Sequence, residues 1–262
     1  MLNILVCVKQ VPDVNLVKID PETGSLIRQG VPSILNPLDA NALEAAVRTK
    51  ERYGGEVTCI TMGPDMAEEA LKECLAAGAD RAVLLSDRAF ANADTLATSY
   101  VIVSAANLVG KFDLIFCGKE SLDGATGQMG SQLAERFGAS QLSCVAEIDS
   151  VDEEKKTVTA KRELEKGVET DEAKYPCLIT VEKSNFHPRI PNLTAWLASR
   201  QAEIVRFNSN TIPGLDKEQI GDPGSPTKVP RTYPPVTGEG GIIINEGSVE
   251  KDVEKLLEII RS

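Results

Sequence analysis

Short apolar runs without polar alternation recur through the first half of the sequence, and each is followed by a segment with helical spacing. Residues 2–8, 56–62, Arg81–Leu85 and 112–117 are rich in Ile, Val and Leu, so they read as short strands buried on both faces. Residues 39–53, 65–78 and 94–108 read as the intervening helices, and Met129–Phe137 as a fourth. In the first of these, Leu43, Ala46, Val47 and Lys50 have helical spacing, Asp39 stands where a cap belongs, and Gly54 and Gly55 end the run. This alternation predicts a parallel sheet covered by helices on both faces. Ligands of such sheets lie beyond the carboxyl ends of the strands, where connections leave for opposite faces. The loops after Val8, Met62, Leu85 and Cys117 are therefore the informative ones.

The second half is organised differently. Residues 142–148 suggest another strand, and the charged run 149–156 reads as a solvated turn leading into a hairpin that extends through Val168. Cys177–Val181 is apolar and returns to the core, and a short amphipathic helix is expected over 193–200. From 208 to 241 proline and glycine recur too often for a regular helix or a central strand. So long a structureless stretch inside a compact domain is unusual, so it reads as an extended arm. Helical spacing resumes through Val253, Leu256, Leu257 and Ile260. The expected organisation is an α/β domain over 1–207 and, over 208–262, an arm with a terminal helix that packs on a partner subunit. Docking of that helix on its own body is the alternative.

Composition narrows the function. A formal net charge of −11 disfavours a nucleic-acid partner. No apolar run approaches the ~20 residues that span a bilayer, and the N-terminus shows no secretion signal. The six cysteines form no CxxC pair and His187 is the sole histidine, so buried thiols in a reducing cytoplasm fit better than a metal site. No catalytic constellation stands out: His187 lies alone in a loop, and no serine sits in a GxSxG turn. Redox work by this chain would need a bound cofactor.

The most ligand-like segment is residues 118–130, glycine-rich and placed between a buried strand and a helix. Gly124 and Gly127 permit close backbone approach, the amides opening the following helix favour an anion, and Thr126 and Gln128 can donate to phosphate. The spacing is neither GxGxxG nor GxxxxGK[ST], and Glu120 and Asp123 suit ribose hydroxyls or solvent better than phosphate. The Lys9–Asp13 turn is stiffened by Pro12 and suits a cofactor edge, or is simply a turn with a surface lysine. Asn36, fixed ahead of Pro37, is placed to meet an adenine or ribose. Asp94, Thr95 and Thr98 open another helix, where Thr95 can donate to phosphate and Asp94 either assists or caps.

Four motifs in order resemble one family: Cys7-Val8-Lys9-Gln10-Val11-Pro12-Asp13, Asp20-Pro21-Glu22-Thr23-Gly24, Asn36-Pro37-Leu38-Asp39 with Ala42-Leu43-Glu44, and the loop 118–130. Together they are similar to the beta subunit of electron-transfer flavoproteins over essentially the whole chain. The resemblance implies an adenine-nucleotide-hydrolase-like (HUP, Rossmann-like) α/β core with β-hairpin additions and a C-terminal arm that embraces an alpha subunit carrying FAD. In respiratory members the beta subunit holds AMP. In bifurcating members of anaerobes and some diazotrophs it holds a second FAD, which takes a hydride from NADH. One electron then passes to ferredoxin or flavodoxin and the other, through the alpha-subunit FAD, to a flavin dehydrogenase. Residues 17–28 with 30–34 resemble the bifurcating branch more closely.

Carried onto this sequence, the resemblance implies a cofactor-binding set of Cys7, Val8, Lys9, Val11, Asn36, Asp39, Met62, Asp94, Thr95, Thr98, Gly118, Glu120, Asp123, Gly124, Thr126, Gly127, Gln128 and Met129. In this reading the loop 118–130 takes the FAD pyrophosphate and the Lys9–Asp13 turn encloses the ring. Docking of the dehydrogenase would fall to Arg189, Leu193 and Trp196, with burial in the chain's own core the alternative, above all for Trp196. There the family's Asn-Glu-Pro-Arg-Tyr-like approach becomes Asn185-Phe186-His187-Pro188-Arg189-Ile190, and the usual lysine cluster is reduced to Arg200. That departure leaves the choice of dehydrogenase open. An AMP-bound one-electron shuttle, a nucleotide-binding signalling module of the same core fold and, more weakly, an independent metabolic enzyme are the competing readings. The long arm argues for a permanent heterodimer over the signalling module.

Overall fold

A computed structural model describes residues 1–13, 18–19, 26–27, 31–183, 185–228 and 241–261. Most of the segment resembling the bifurcating branch, and much of the proline-rich stretch, lie outside the described residues. The core is a nine-stranded sheet built around β1 (Leu2–Cys7), in which every residue but Asn3 is buried. A ribbon of β2 (Gln10–Pro12) and β5 (Ser33–Leu35) follows, with a small pairing of β3 (Lys18–Ile19) and β4 (Leu26–Ile27) between them.

The chain then enters α1 (Pro37–Tyr53), with proline at its first position, where a missing N–H costs nothing. Next come β6 (Gly55–Met62), α2 (Glu68–Ala76), β7 (Arg81–Leu85), α3 (Thr95–Val109), β8 (Leu114–Gly118) and α4 (Met129–Phe137). Strands β1, β6, β7 and β8 are parallel, as their apolar composition requires. Helices α1 and α2 pack with Leu2, Ile4 and Val6 on one face of the sheet. Helices α3 and α4 pack with Leu5, Cys7 and Ile115 on the other.

This distribution positions the site. From β1 the chain winds outward through α1, β6, α2 and β7, then crosses back over the opposite face through α3 to β8, which pairs with the free side of β1. The exits of β1 and β8 therefore diverge, one toward α1 and the other toward α4. Cys7 and Cys117 lie in register at this switch point.

Beyond β8 the sheet continues through β12 (Cys177–Val181), β9 (Ser140–Asp152), β10 (Thr157–Leu164) and β11 (Gly167–Lys174). The last three form an antiparallel meander. The β9–β10 hairpin agrees with the expected turn, but β9 is longer than 142–148, and β11 is a strand the sequence did not suggest. Most of β11 is exposed, as suits a charged edge strand without an apolar face. After α5 (Leu193–Gln201), the short β13 (Val205–Phe207) closes the other edge on β7.

Residues 208–228, read from the sequence as part of an extended arm, pack on the body. Ile212 and Ile220 join the α3–α4 core, and Asp87 accepts the Ser209 N–H and hydroxyl. Helix α6 (Val249–Arg261) is different: none of its residues is buried. No helix among the described residues is long and apolar enough to cross a membrane.

Candidate nucleotide-binding site

Four segments meet beyond the carboxyl ends of β1 and β8. Lys9 extends its ammonium to both carboxylate oxygens of Asp123, each at 2.8 Å, joining the turn after β1 to the loop after β8. The Thr95 hydroxyl donates to Gln128 Oε1 at 3.1 Å, joining the start of α3 to the start of α4. Asn36 reaches the loop with its whole amide: Nδ2 donates to Glu120 O at 2.9 Å and Oδ1 accepts from Leu122 N at 3.0 Å. Residues far apart in sequence thus share one edge of the sheet, where divergent connections leave a crevice.

Residues 122–128 form the exposed crest of this loop. Gly127 has φ +63° and open space where a side chain would sit, and Gly124 meets only Ser121 Oγ at 3.4 Å. Gln128 makes no side-chain cap on α4, and the first amides of a helix, which have no intrahelical partner, favour an anion. Open glycines, free amides and the Thr126 side chain on the exposed crest fit a phosphate or pyrophosphate. Burial pushes the Asp123 carboxyl up, but its bonds from Lys9 and Ser121 outweigh this and hold it below its ordinary value. Its negative charge is therefore balanced locally rather than aimed at a ligand.

Several expectations change. Asp39 does not cap α1; it is buried, and it accepts the backbone N–H groups of Lys9 and Gly118. Asn36 is only 1% exposed and its amide is engaged by the loop, so it shapes the site rather than presenting itself to an adenine or ribose. Asp94 caps α3 through the N–H groups of Leu96 and Ala97, and its other oxygen accepts Thr227 N–H. Cys7, Val8 and Val11 bury their side chains, leaving backbone to offer a ligand. Met62, Thr98 and Met129 are half-buried around the same edge. One residue escaped notice: Thr61, beside Met62 at the end of β6, buries a hydroxyl without a partner among the described residues. Nothing in a β-branched strand residue signals an unpartnered hydroxyl beforehand.

The electron transfer flavoprotein domain matches residues 23–211, well over half of the chain. The chain belongs to the electron transfer flavoprotein family, as a beta subunit. It is 44% identical to the electron transfer flavoprotein subunit beta of Thermoanaerobacterium thermosaccharolyticum, over all of this chain and 98% of the relative. It is likewise 44% identical to the caffeyl-CoA reductase-Etf complex subunit CarD of Acetobacterium woodii, covering 99% of this chain and 98% of that one. Protein FixA of Bradyrhizobium diazoefficiens is 42% identical over 98% of this chain and 90% of its own length. Beta subunits of this family pair with an alpha subunit.

The beta subunit's expected docking residues separate into two kinds. Arg189 is engaged internally, bonding Glu44 at 2.8 Å and Glu51 at 2.6 Å on α1. These bonds fasten the 185–193 segment to the body. Leu193 is 70% and Trp196 49% exposed, with Ile190 and Leu197 beside them. These four present an apolar face at the start of α5, which Asn192 caps through Ala195 N–H.

Burial pushes the Glu44 carboxyl up, but the guanidinium groups of Arg189 and Arg48 outweigh this and hold it below its usual value; Arg189 also lowers Glu51. The resulting stability is present above the unfolded carboxylate range and is lost as acid takes the pH through the depressed folded values. Arg189→Ala should cost about 1–3 kcal/mol in urea unfolding at neutral pH. That cost should shrink in acid, once the pH falls below the depressed folded values and both carboxylates are protonated. An equal cost at both pH values would show that lost packing, not the ion pairs, sets it.

Proposed function

We propose that this beta subunit holds FAD in the crevice between the Lys9 turn and the loop 118–130, and that its heterodimer works in electron bifurcation. The observation that carries the reading is the exposed, glycine-opened crest above the uncapped start of α4, at the switch point between β1 and β8. Similarity to a subunit named for a caffeyl-CoA reductase-Etf complex and the resemblance of residues 17–28 to the bifurcating branch support FAD over AMP. Bound there, FAD would supply what no side chain of this subunit offers: acceptance of a hydride from NADH and division of the electron pair between ferredoxin or flavodoxin and, through the alpha-subunit FAD, a flavin dehydrogenase.

The protein's own share is binding and exclusion. The first amides of α4 and the side chains of Thr126, Gln128 and Thr95 would hold the pyrophosphate. The Lys9 turn would close over the ring. The apolar face of α6 would pair with the alpha subunit, and Leu193 and Trp196 would meet the dehydrogenase. The cytoplasm is the setting this assembly fits.

The test is the nucleotide content of the purified alpha–beta complex after acid release and chromatography. About two FAD and no AMP per heterodimer are expected. About one FAD with one AMP would overturn bifurcation and leave a one-electron shuttle whose beta subunit serves as scaffold.

A further inference from the structure

The loops of the proposed site are fastened by one four-residue segment at the start of α1. Asn36 binds the loop after β8 through its amide and accepts no substitute without losing Glu120 O or Leu122 N. Its backbone N–H donates to Lys9 O at 2.9 Å. Asp39 completes the arrangement. Its Oδ2 accepts Lys9 N–H and its Oδ1 accepts Gly118 N–H, both at 2.8 Å. One carboxylate therefore spans the gap where β1 and β8 part.

Asp39 is 6% exposed. Among the described residues the nearby ammonium is that of Lys9, which is turned to Asp123. The other titratable groups around it are the thiols of Cys7 on β1, Cys117 on β8 and Cys74 on α2. Burial contributes to raising each thiol, and Cys74 is raised foremost by its bond with Cys59, so all three are neutral near pH 7. Burying a carboxylate with no cation bonded to it is costly, and a neutral side chain would pack there at lower cost. A charge kept in such a place, with both oxygens on the hinges of two ligand loops, points to what the loops do.

We infer that Asp39 is a positioning residue of the nucleotide site: its ionised carboxylate sets the spacing between the Lys9 turn and the loop 118–130, and neutralising it loosens both loops and weakens nucleotide binding. The inference rests on the proposed placement of the nucleotide, whichever nucleotide that is. Two N–H donors require two acceptor oxygens, and a protonated carboxyl turns one of them into a donor in need of its own acceptor. Burial pushes Asp39 up to about 7, against the bonds from Gly118, Lys9 and Asn36. The charge is thus lost just below neutral pH.

The effect on fold stability has the opposite sign. Because the folded value is raised above the unfolded one, the folded chain binds the extra proton, and this group's contribution to stability falls as pH rises toward 7. Mild acid should therefore weaken the site while this group favours the fold, a combination that general unfolding does not produce.

The test uses the alpha–beta heterodimer. Release of its beta-subunit nucleotide, FAD or AMP, is followed by filtration and chromatography from about pH 6 to 8.5 for the wild type and Asp39→Asn. The wild-type dissociation constant should be about tenfold higher at pH 6 than at pH 8. Asp39→Asn should bind at least about tenfold more weakly, with a flat profile. Wild-type retention by the variant, or a flat wild-type profile, overturns the inference. If the variant does not fold, hydrogen exchange in the wild type decides. Peptides carrying the Lys9 and Gly118 amides should lose protection, relative to intrinsic rates, between pH 8 and pH 6, and unchanged protection overturns the inference. A complex with AMP in place of FAD would refute bifurcation and leave this test intact. Full retention by Asp39→Asn in a complex with two flavins would refute only the positioning role.

Discussion

Gly118→Ala is expected to lower stability by about 1–3 kcal/mol and to reduce nucleotide retention more than tenfold. A Cβ at position 118 would lie 2.6 Å from Asp39 Oδ1 and 2.8 Å from the carbonyl carbon and Cβ of Leu38. None of these atoms is the end of a flexible chain. Leu38 and Asp39 belong to the first turn of α1, fixed behind Pro37, and Gly118 is buried in the sheet opposite Val181. The clash can be relieved only by moving α1 off the sheet or pulling the loop away from its anchor. Gly110→Ala is the control, because that position is extended and meets nothing within 4 Å. Urea midpoints and nucleotide content should separate the two variants clearly. Equal midpoints would mean that α1 adjusts at negligible cost and that the spacing at Gly118 is not tightly set.

The double change Leu256→Asp and Leu257→Asp is expected to weaken pairing with the alpha subunit by at least about 100-fold, since each buried leucine contributes roughly 1.5–3 kcal/mol. The isolated chain should melt as before, because α6 buries none of its residues within it. Val253, Leu256 and Leu257 form a stripe with Val249 and Ile260 toward the ends, and all five are exposed. A helix of 13 residues that buries none of them is marginal in water, so this stripe needs a surface to lie on. Sedimentation of the mixed subunits measures the pairing, and a thermal melt of the variant alone measures the fold. A complex of unchanged affinity would remove α6 from the interface; a lower melting temperature for the variant alone would mean that the helix docks on its own body.

The parallel half of the fold was legible because strands buried on both faces must be continuously apolar, and those runs are visible without any knowledge of their neighbours. Strand β11 was not, because it lies at an edge and carries the charges that keep an edge from pairing. The loop 118–130 stood out for a local reason, its glycines. The work of Asn36 and Asp39 did not, because their partners lie as far as 86 residues away and a side chain that bonds a distant backbone leaves no mark on nearby spacing. The same holds for Arg189, which the family resemblance placed in a docking segment and whose bonds reach Glu44 and Glu51, 145 and 138 positions away. The proline-rich composition after 208 correctly signalled the absence of long regular elements up to 228. It said nothing of the two isoleucines that fasten that stretch to the core.

The cysteines have a consequence of their own. Five of the six are buried, with Cys59 and Cys74 sealed between β6 and α2 and Cys7 and Cys117 beneath α4. A thiol attacks an electrophile or meets an oxidant only as an accessible thiolate, and burial withholds both the access and the charge. Chemical damage at these sulfurs must therefore wait for the sheet and its helices to part, so its rate follows the population of opened molecules rather than the concentration of reactive thiols. Cys144, the one half-exposed cysteine, stands outside this protection and ages on its own clock.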